Sequence, residues 1–307
     1  MKKVASMSRN QKITNTIIYI LLAILCIIWI APIFMVLIIA FNKPDSSAAM
    51  FDFSQGFTFI HFIELFVCNR VNDNGDLVHD VNAYPFLQWC INTLLISIVV
   101  TFVNTLFVLM VSYTMSRLKF KGRKTLMSLN MILGMFPGFM SMIALYNILK
   151  LIGVLNPDVG WLYNPKVGLT LCYCMSSGMG FYVAKGFFDT ISKSLDEAAR
   201  IDGATNAQVF FKIIIPLSKP IIVYTLIQAF MGPWMDYILC AIILPDDKYT
   251  WTVALGLYSF VNENSVRATY FTEFFSGSVL VSIPIMTLFL LTQKYYVEGV
   301  TGGAVKG

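Results

Sequence analysis

Residues 17–41 read IIYILLAILCIIWIAPIFMVLIIAF, 25 positions without a charge. A helix rises about 1.5 Å per residue and crosses a hydrocarbon core of about 30 Å in about 20 residues. This run is long enough to span a bilayer and too long for the apolar centre of a secretory leader, so it reads as a retained helix. Five more apolar runs follow, at 89–115, 126–149, 167–184, 221–244 and 274–292, and only Asp236 places a charge inside one of them. The pattern predicts an all-α polytopic membrane protein with six transmembrane helices. Residues 1–16 form an amino-terminal stretch, 17–292 the membrane domain and 293–307 a carboxy-terminal tail.

Composition agrees. Hydrophobic residues make up 57% of the chain and charged residues only 13%. Soluble domains carry about 25% charge, so an ordinary water-soluble fold is excluded, as is disorder. The net charge of +5 is unevenly spread. The stretches before span one, between spans two and three, between spans four and five and after span six hold 16 basic and 5 acidic residues. The opposite segments hold 6 basic and 11 acidic. Basic residues stay cytoplasmic, which places both termini inside and argues for a lipid bilayer rather than nucleic acid as the partner of that charge. The six cysteines have neither disulfide nor zinc spacing and read as small buried hydrophobes. His61 and His79 are far apart and read as surface residues outside the membrane. No paired acid and base and no metal motif lies in a span, so a membrane enzyme is disfavoured, as is a metal site. An ion-coupled carrier would show internal repeats and several intramembrane charges, which are lacking.

The link between spans four and five is longer than a connection needs. Within residues 192–216, Ser194 and Glu197 have capping-box spacing, Gly203 interrupts, and Thr205 with Gln208 repeats the box. An amphipathic run with Val209, Phe210, Ile213 and Ile214 follows, up to Pro216. The expectation is helix, glycine bend, helix. Such a pair could lie on lipid, but its balanced charge and small residues suit a protein groove better. The segment FTFIHFIELF in the first outer connection predicts a short helix, VNDNGDLVHD a polar loop, and the glycine-rich end EGVTGGAVKG a flexible tail.

EAARIDGATNAQVFFKIIIP resembles the EAA signature of bacterial ABC-importer permeases, with Glu197, Ala198, Ala199, Gly203, Ile213 and Pro216 in register and Ile215 in place of the usual leucine. GMFPGFMSMIALYNIL, the span-five run FMGPWMDY and the tail are similar to carbohydrate importers, most of all to the second permease subunit of maltose/maltodextrin systems. The resemblance implies a non-catalytic subunit in the bacterial cytoplasmic membrane. Its implied partners are a second homologous permease, two copies of a cytoplasmic ATPase that bind the ATP and Mg, an extracytoplasmic binding protein and an oligosaccharide. Maltodextrin is the expected cargo, with raffinose- or melibiose-like sugars, or several sugars, as the alternative. No cofactor is expected in this chain, which has no phosphate-binding GxxxxGK[ST] loop. The implied coupling residues are Glu197, Ala198, Ala199, Asp202, Gly203, Ile213 and Pro216. Glu197 would pair with a basic group of the ATPase, or serve only as a capping partner. The tail would insert at the ATPase dimer interface.

Sugars are held by aromatic faces and hydrogen-bonding groups, so Trp234, Asp236 and Tyr237, beside Gly232 and Pro233, are candidates for the substrate pathway. Asp236 could instead pair within the bundle. Tyr146, Tyr173 and Tyr182 are weaker candidates. By the resemblance, the loop between spans five and six reaches the binding protein, which makes Asn262, Glu263, Asn264 and Arg267 candidate contacts.

Overall fold

The computed structural model describes residues 9–42, 56–67, 69–71, 77–79, 84–175, 180–262 and 270–304. The helices are α1 (Arg9–Phe41), α2 (Ile60–Val67), α3 (Phe86–Arg117), α4 (Arg123–Gly134), α5 (Gly138–Leu151), α6 (Pro165–Met175), α7 (Gly180–Thr190), α8 (Lys193–Ile201), α9 (Asn206–Leu217), α10 (Lys219–Met235), α11 (Ile238–Ile243), α12 (Val253–Asn262) and α13 (Phe271–Ala304). Four stretches are long and apolar enough to cross a membrane: Gln11–Phe41, Phe86–Arg117, Pro165–Thr190 and Phe271–Tyr295. Two bent pairs, α4 with α5 and α9 with α10, bring the candidates to six. The chain is a multi-pass, almost wholly helical membrane protein.

Where the helices depart from the apolar runs, local chemistry explains it. The third run is broken by 103° between α4 and α5. Pro137 stands at the amino end of α5, lacks the N–H that would continue the ladder, and disfavours a helical residue before it. The helix that carries the end of the fourth apolar run extends beyond Ala184. α7 continues to Thr190 because Lys185 Nζ pairs with Asp189 Oδ2 one turn on, at 2.6 Å. The segment read as a polar loop contains a small antiparallel hairpin, β1 (Asn69–Val71) with β2 (Leu77–His79), in which Asn69 faces His79. The tail read as flexible is instead a continuation of α13 as far as Ala304.

Contacts divide the chain into two compact units. In one, the end of α1 meets α2 and the start of α13. Ser276 Oγ donates to Ala40 O at 3.0 Å, and the Phe41 ring lies 5.2 Å from Phe59 and 4.9 Å from Phe62. In the other, α3 is the central helix. Small and polar residues recur on one of its faces at helical spacing, and Thr93, Ser97, Asn104, Thr105, Ser112 and Ser116 are all buried. In a bilayer, apolar side chains gain little by leaving lipid for one another, so close packing and hydrogen bonds hold helices together. Asn104 Nδ2 donates to Tyr173 O (3.0 Å) and Cys174 O (3.3 Å) at the end of α6, and Ser112 Oγ donates to Phe181 O (3.0 Å) in α7. Near the start of α3, Trp89 Nε1 donates to Lys248 O (2.7 Å), Asn92 Nδ2 to Tyr249 O (2.8 Å), and Thr93 Oγ1 accepts from Val253 N (2.8 Å). Gly256 in α12 is needed there, since a Cβ on it would lie 2.1 Å from the Trp89 ring.

Candidate functional site

The bent pair α8–α9 is built by its own sequence. α8 starts two residues earlier than capping-box spacing suggests, because its cap is Ser192, whose Oγ accepts from Ser194 N at 3.3 Å. Arg117 Nη2 holds the Ile191 carbonyl just before it, at 2.8 Å, and so fixes the turn out of α7. Glu197 is thereby released from any capping role. At the other end, Asp202 closes α8 and Gly203 adopts φ +83°. Ala204 N bonds Ala199 O at 2.9 Å and Gly203 N bonds Arg200 O at 3.1 Å, the two bonds of a Schellman closure. Open space surrounds the position a Cβ would take on Gly203, so the backbone angle alone demands glycine. Thr205 and Gln208 then form the expected capping box on α9, with bonds of 2.8 and 3.3 Å. Arg200 Nη2 reaches Asn206 Oδ1 across the bend at 3.0 Å. Pro216 is accommodated by one widened turn, in which Ile215 N bonds Phe210 O.

The pair has two faces. Asp196, Ala199, Val209, Phe210 and Ile214 are buried. Glu197, Ala198, Asp202, Gly203 and Pro216 are exposed, Ile213 is half-buried, Ile201 is 87% exposed, and Leu195 and Phe211 are exposed too. The buried face sits on the last turns of α3. Tyr113 OH donates to Asn206 O (3.2 Å), Ser116 Oγ to Asp189 Oδ1 (2.5 Å) and Arg117 Nη2 to Phe188 O (2.8 Å), while Arg117 Nε lies 3.6 Å from Asp196 Oδ2. Higher along α3, a cleft of about 330 Å³ opens between α3, α7 and α10, lined by Asn104, Tyr173, Tyr224, Thr225 and Gln228 among others.

The family described as "Binding-protein-dependent transport system inner membrane component" matches residues 108–302, which takes in the end of α3, the bent pair and most of α13. The chain belongs to this family. This transport component is 33% identical over 304 residues to the galactooligosaccharides transport system permease protein GanQ of Bacillus subtilis (strain 168), covering 99% of each chain. It is 34% identical over 291 residues to the maltodextrin transport system permease protein MdxG of the same organism, covering 94% of this chain and 95% of that one. Its fold resembles a chain from the crystal structure of a bacterial ABC transporter involved in the import of the acidic polysaccharide alginate. The TM-score is 0.69 and the identity 20%, with 95% of this chain and 100% of that chain covered.

In this membrane component the sequence candidates fall into three groups. The seven EAA-loop residues lie together on α8, the bend and α9. Trp234, Asp236 and Tyr237 gather where α10 gives way to α11. Asp236 Oδ1 accepts from Leu239 N at 3.1 Å and caps α11, while its Oδ2 accepts from Tyr173 OH at 3.3 Å. Trp234 is buried, and its indole N–H has no hydrogen-bond partner among the described residues. Tyr237 stacks on Tyr258 with ring centroids 4.1 Å apart. Asp236 thus reaches the cleft through Tyr173, and Gly232 and Pro233 line it directly. Asn262 is exposed at the end of α12, and Glu263, Asn264 and Arg267 lie outside the described residues.

His61 is not a surface residue. It is buried, because its ring fills the space under the end of α1, with Nε2 3.1 Å from Asn42 O and Nδ1 3.3 Å from Glu64 Oε2. His61, Glu64 and Glu273 bring one ligand-type atom each to within 4.8 Å of one another. Two residues of the site escaped the sequence reading. Asn104 carried a signal in the recurrence of small polar residues along α3. Arg117 was hidden among the five basic residues of SRLKFKGRK.

Proposed function

We propose that this chain is the permease subunit of an ATP-driven, binding-protein-dependent importer of an oligosaccharide. It forms half of the translocation pathway, pairs with a second permease, keeps both termini in the cytoplasm and hydrolyses no ATP itself. The observation that carries the reading is the stiffly closed helix pair with one face seated on α3 and the other exposed. Leu195, Ile201 and Phe211 are exposed apolar side chains on the pair that also exposes Glu197, a surface that suits docking in a cleft of an ATPase. When two ATPase subunits close on ATP, the seated pair moves as one body, and the cleft beside Asn104 and Gln228 opens alternately to either side. The near-equal similarity to a maltodextrin and a galactooligosaccharide permease supports an oligosaccharide as the substrate class.

The test is reconstitution with the partner permease, the ATPase and the binding protein in vesicles, followed by uptake of labelled maltotriose, a galactooligosaccharide and raffinose. One of the three enters in an ATP-dependent manner. Glu197→Lys and Gly203→Pro abolish that uptake while the permease stays in the membrane, because proline cannot adopt a positive φ. Full uptake by Glu197→Lys overturns the coupling role. Uptake that persists without ATP, driven by an ion gradient, overturns the whole reading.

A further inference from the structure

α8 and α9 are joined covalently to α7 and α10, so the simplest mechanical picture sends their motion into spans four and five. The contacts add a third helix to those two, because the buried face packs in one cluster with Phe181, Ala184 and Phe188 of α7, Ile221 of α10 and Val108, Leu109 and Tyr113 of α3. Of these, α3 is a helix to which neither α8 nor α9 is linked in sequence. Tyr113 holds α9 by its hydroxyl on Asn206 O and by its ring against Phe210, 4.8 Å between centroids. Arg117 joins three elements at once. Its Nη2 takes the carbonyls of Phe188 and Ile191, both at 2.8 Å, and its Nε faces Asp196 on α8. The Arg117 side chain is 1% exposed and that of Asp196 8%.

This ion pair is only partly made. The 3.6 Å separation exceeds a hydrogen bond, and Arg117 Nε, Arg117 Nη1 and Asp196 Oδ1 have no hydrogen-bond partner among the described residues. Guanidinium and carboxylate prefer a two-pronged fork with N–O distances of about 2.8 Å. Both Nη2 hydrogens are taken by the carbonyls of Phe188 and Ile191, so a fork with Asp196 would require one of those bonds to be given up. A shift of α8 along α3 therefore trades a carbonyl bond of Arg117 for the carboxylate of Asp196, which gives this contact two alternative arrangements.

We propose that Arg117 and Asp196 are the positioning pair that passes motion of the α8–α9 pair directly into α3, so that span two is driven along with spans four and five. The inference rests on the coupling role proposed above and adds the route the load takes. In the reconstituted importer, Asp196→Asn keeps the shape and removes the charge. It lowers uptake by about tenfold, while the ATPase remains bound and its hydrolysis stays within about twofold. Arg117→Lys, which keeps the charge and loses the fork, gives the same split, and Asp196→Glu restores uptake. Glu197→Lys is run alongside. If it blocks uptake while Asp196→Asn and Arg117→Lys do not, the route through α3 is wrong and the coupling role stands. If Glu197→Lys transports fully, the coupling role itself fails. If the Asp196 and Arg117 variants lose hydrolysis, uptake and ATPase binding in parallel, the pair is a structural strut and the inference is overturned.

Discussion

α1 and α3 are almost the same length, 33 and 32 residues, and hydropathy marks both as membrane spans. Their surroundings are opposite. Along α1 large side chains are exposed on every side, with Tyr19 69%, Ile27 67% and Trp29 73% exposed. Along α3 a continuous face is buried, and it is made of Thr, Ser and Asn as much as of Val and Leu. Apolarity therefore says only that a helix can live in a bilayer. Small and hydrogen-bonding side chains at helical spacing say which helix its own unit packs around.

Three substitutions sharpen or break this contrast. Gly256→Leu pushes a branched side chain into the buried Trp89 ring at the start of α3 and costs about 3 kcal/mol, read as a drop in the thermal midpoint of the detergent-purified protein. A variant as stable as the parent would show that α3 is not latched there. Asn104→Ala strips the donors from the Tyr173 and Cys174 carbonyls and costs about 1–2 kcal/mol in the same assay. Trp29→Ala on α1 changes the midpoint by no more than about 0.5 kcal/mol in the chain on its own. A loss as large as that of Asn104→Ala would place α1 in the same class as α3.

The sequence made the spans legible because a charge-free run of sufficient length has few other uses. The bent pair was legible too, since Gly203 and the Thr205–Gln208 box act over three or four residues and their geometry is local. What lay beyond reach was tertiary. Ser192 rather than Ser194 caps α8 because Arg117, far away in sequence, holds the carbonyl of Ile191. Arg117 itself looked like one of a cluster of basic residues that orient the chain. Only its place in the last turn of α3, within reach of the carbonyls at the end of α7, separates it from its neighbours. His61 was misjudged for the same reason, since the carbonyl it shelters belongs to Asn42, at the foot of another helix.

The bend between α4 and α5 has a consequence for where the chain opens first. None of the residues of α4 is buried, and Met135, at its end, is 80% exposed. Segments with so few internal contacts are the first to open. Amide exchange is therefore expected to begin in α4 before it reaches the latched start of α3.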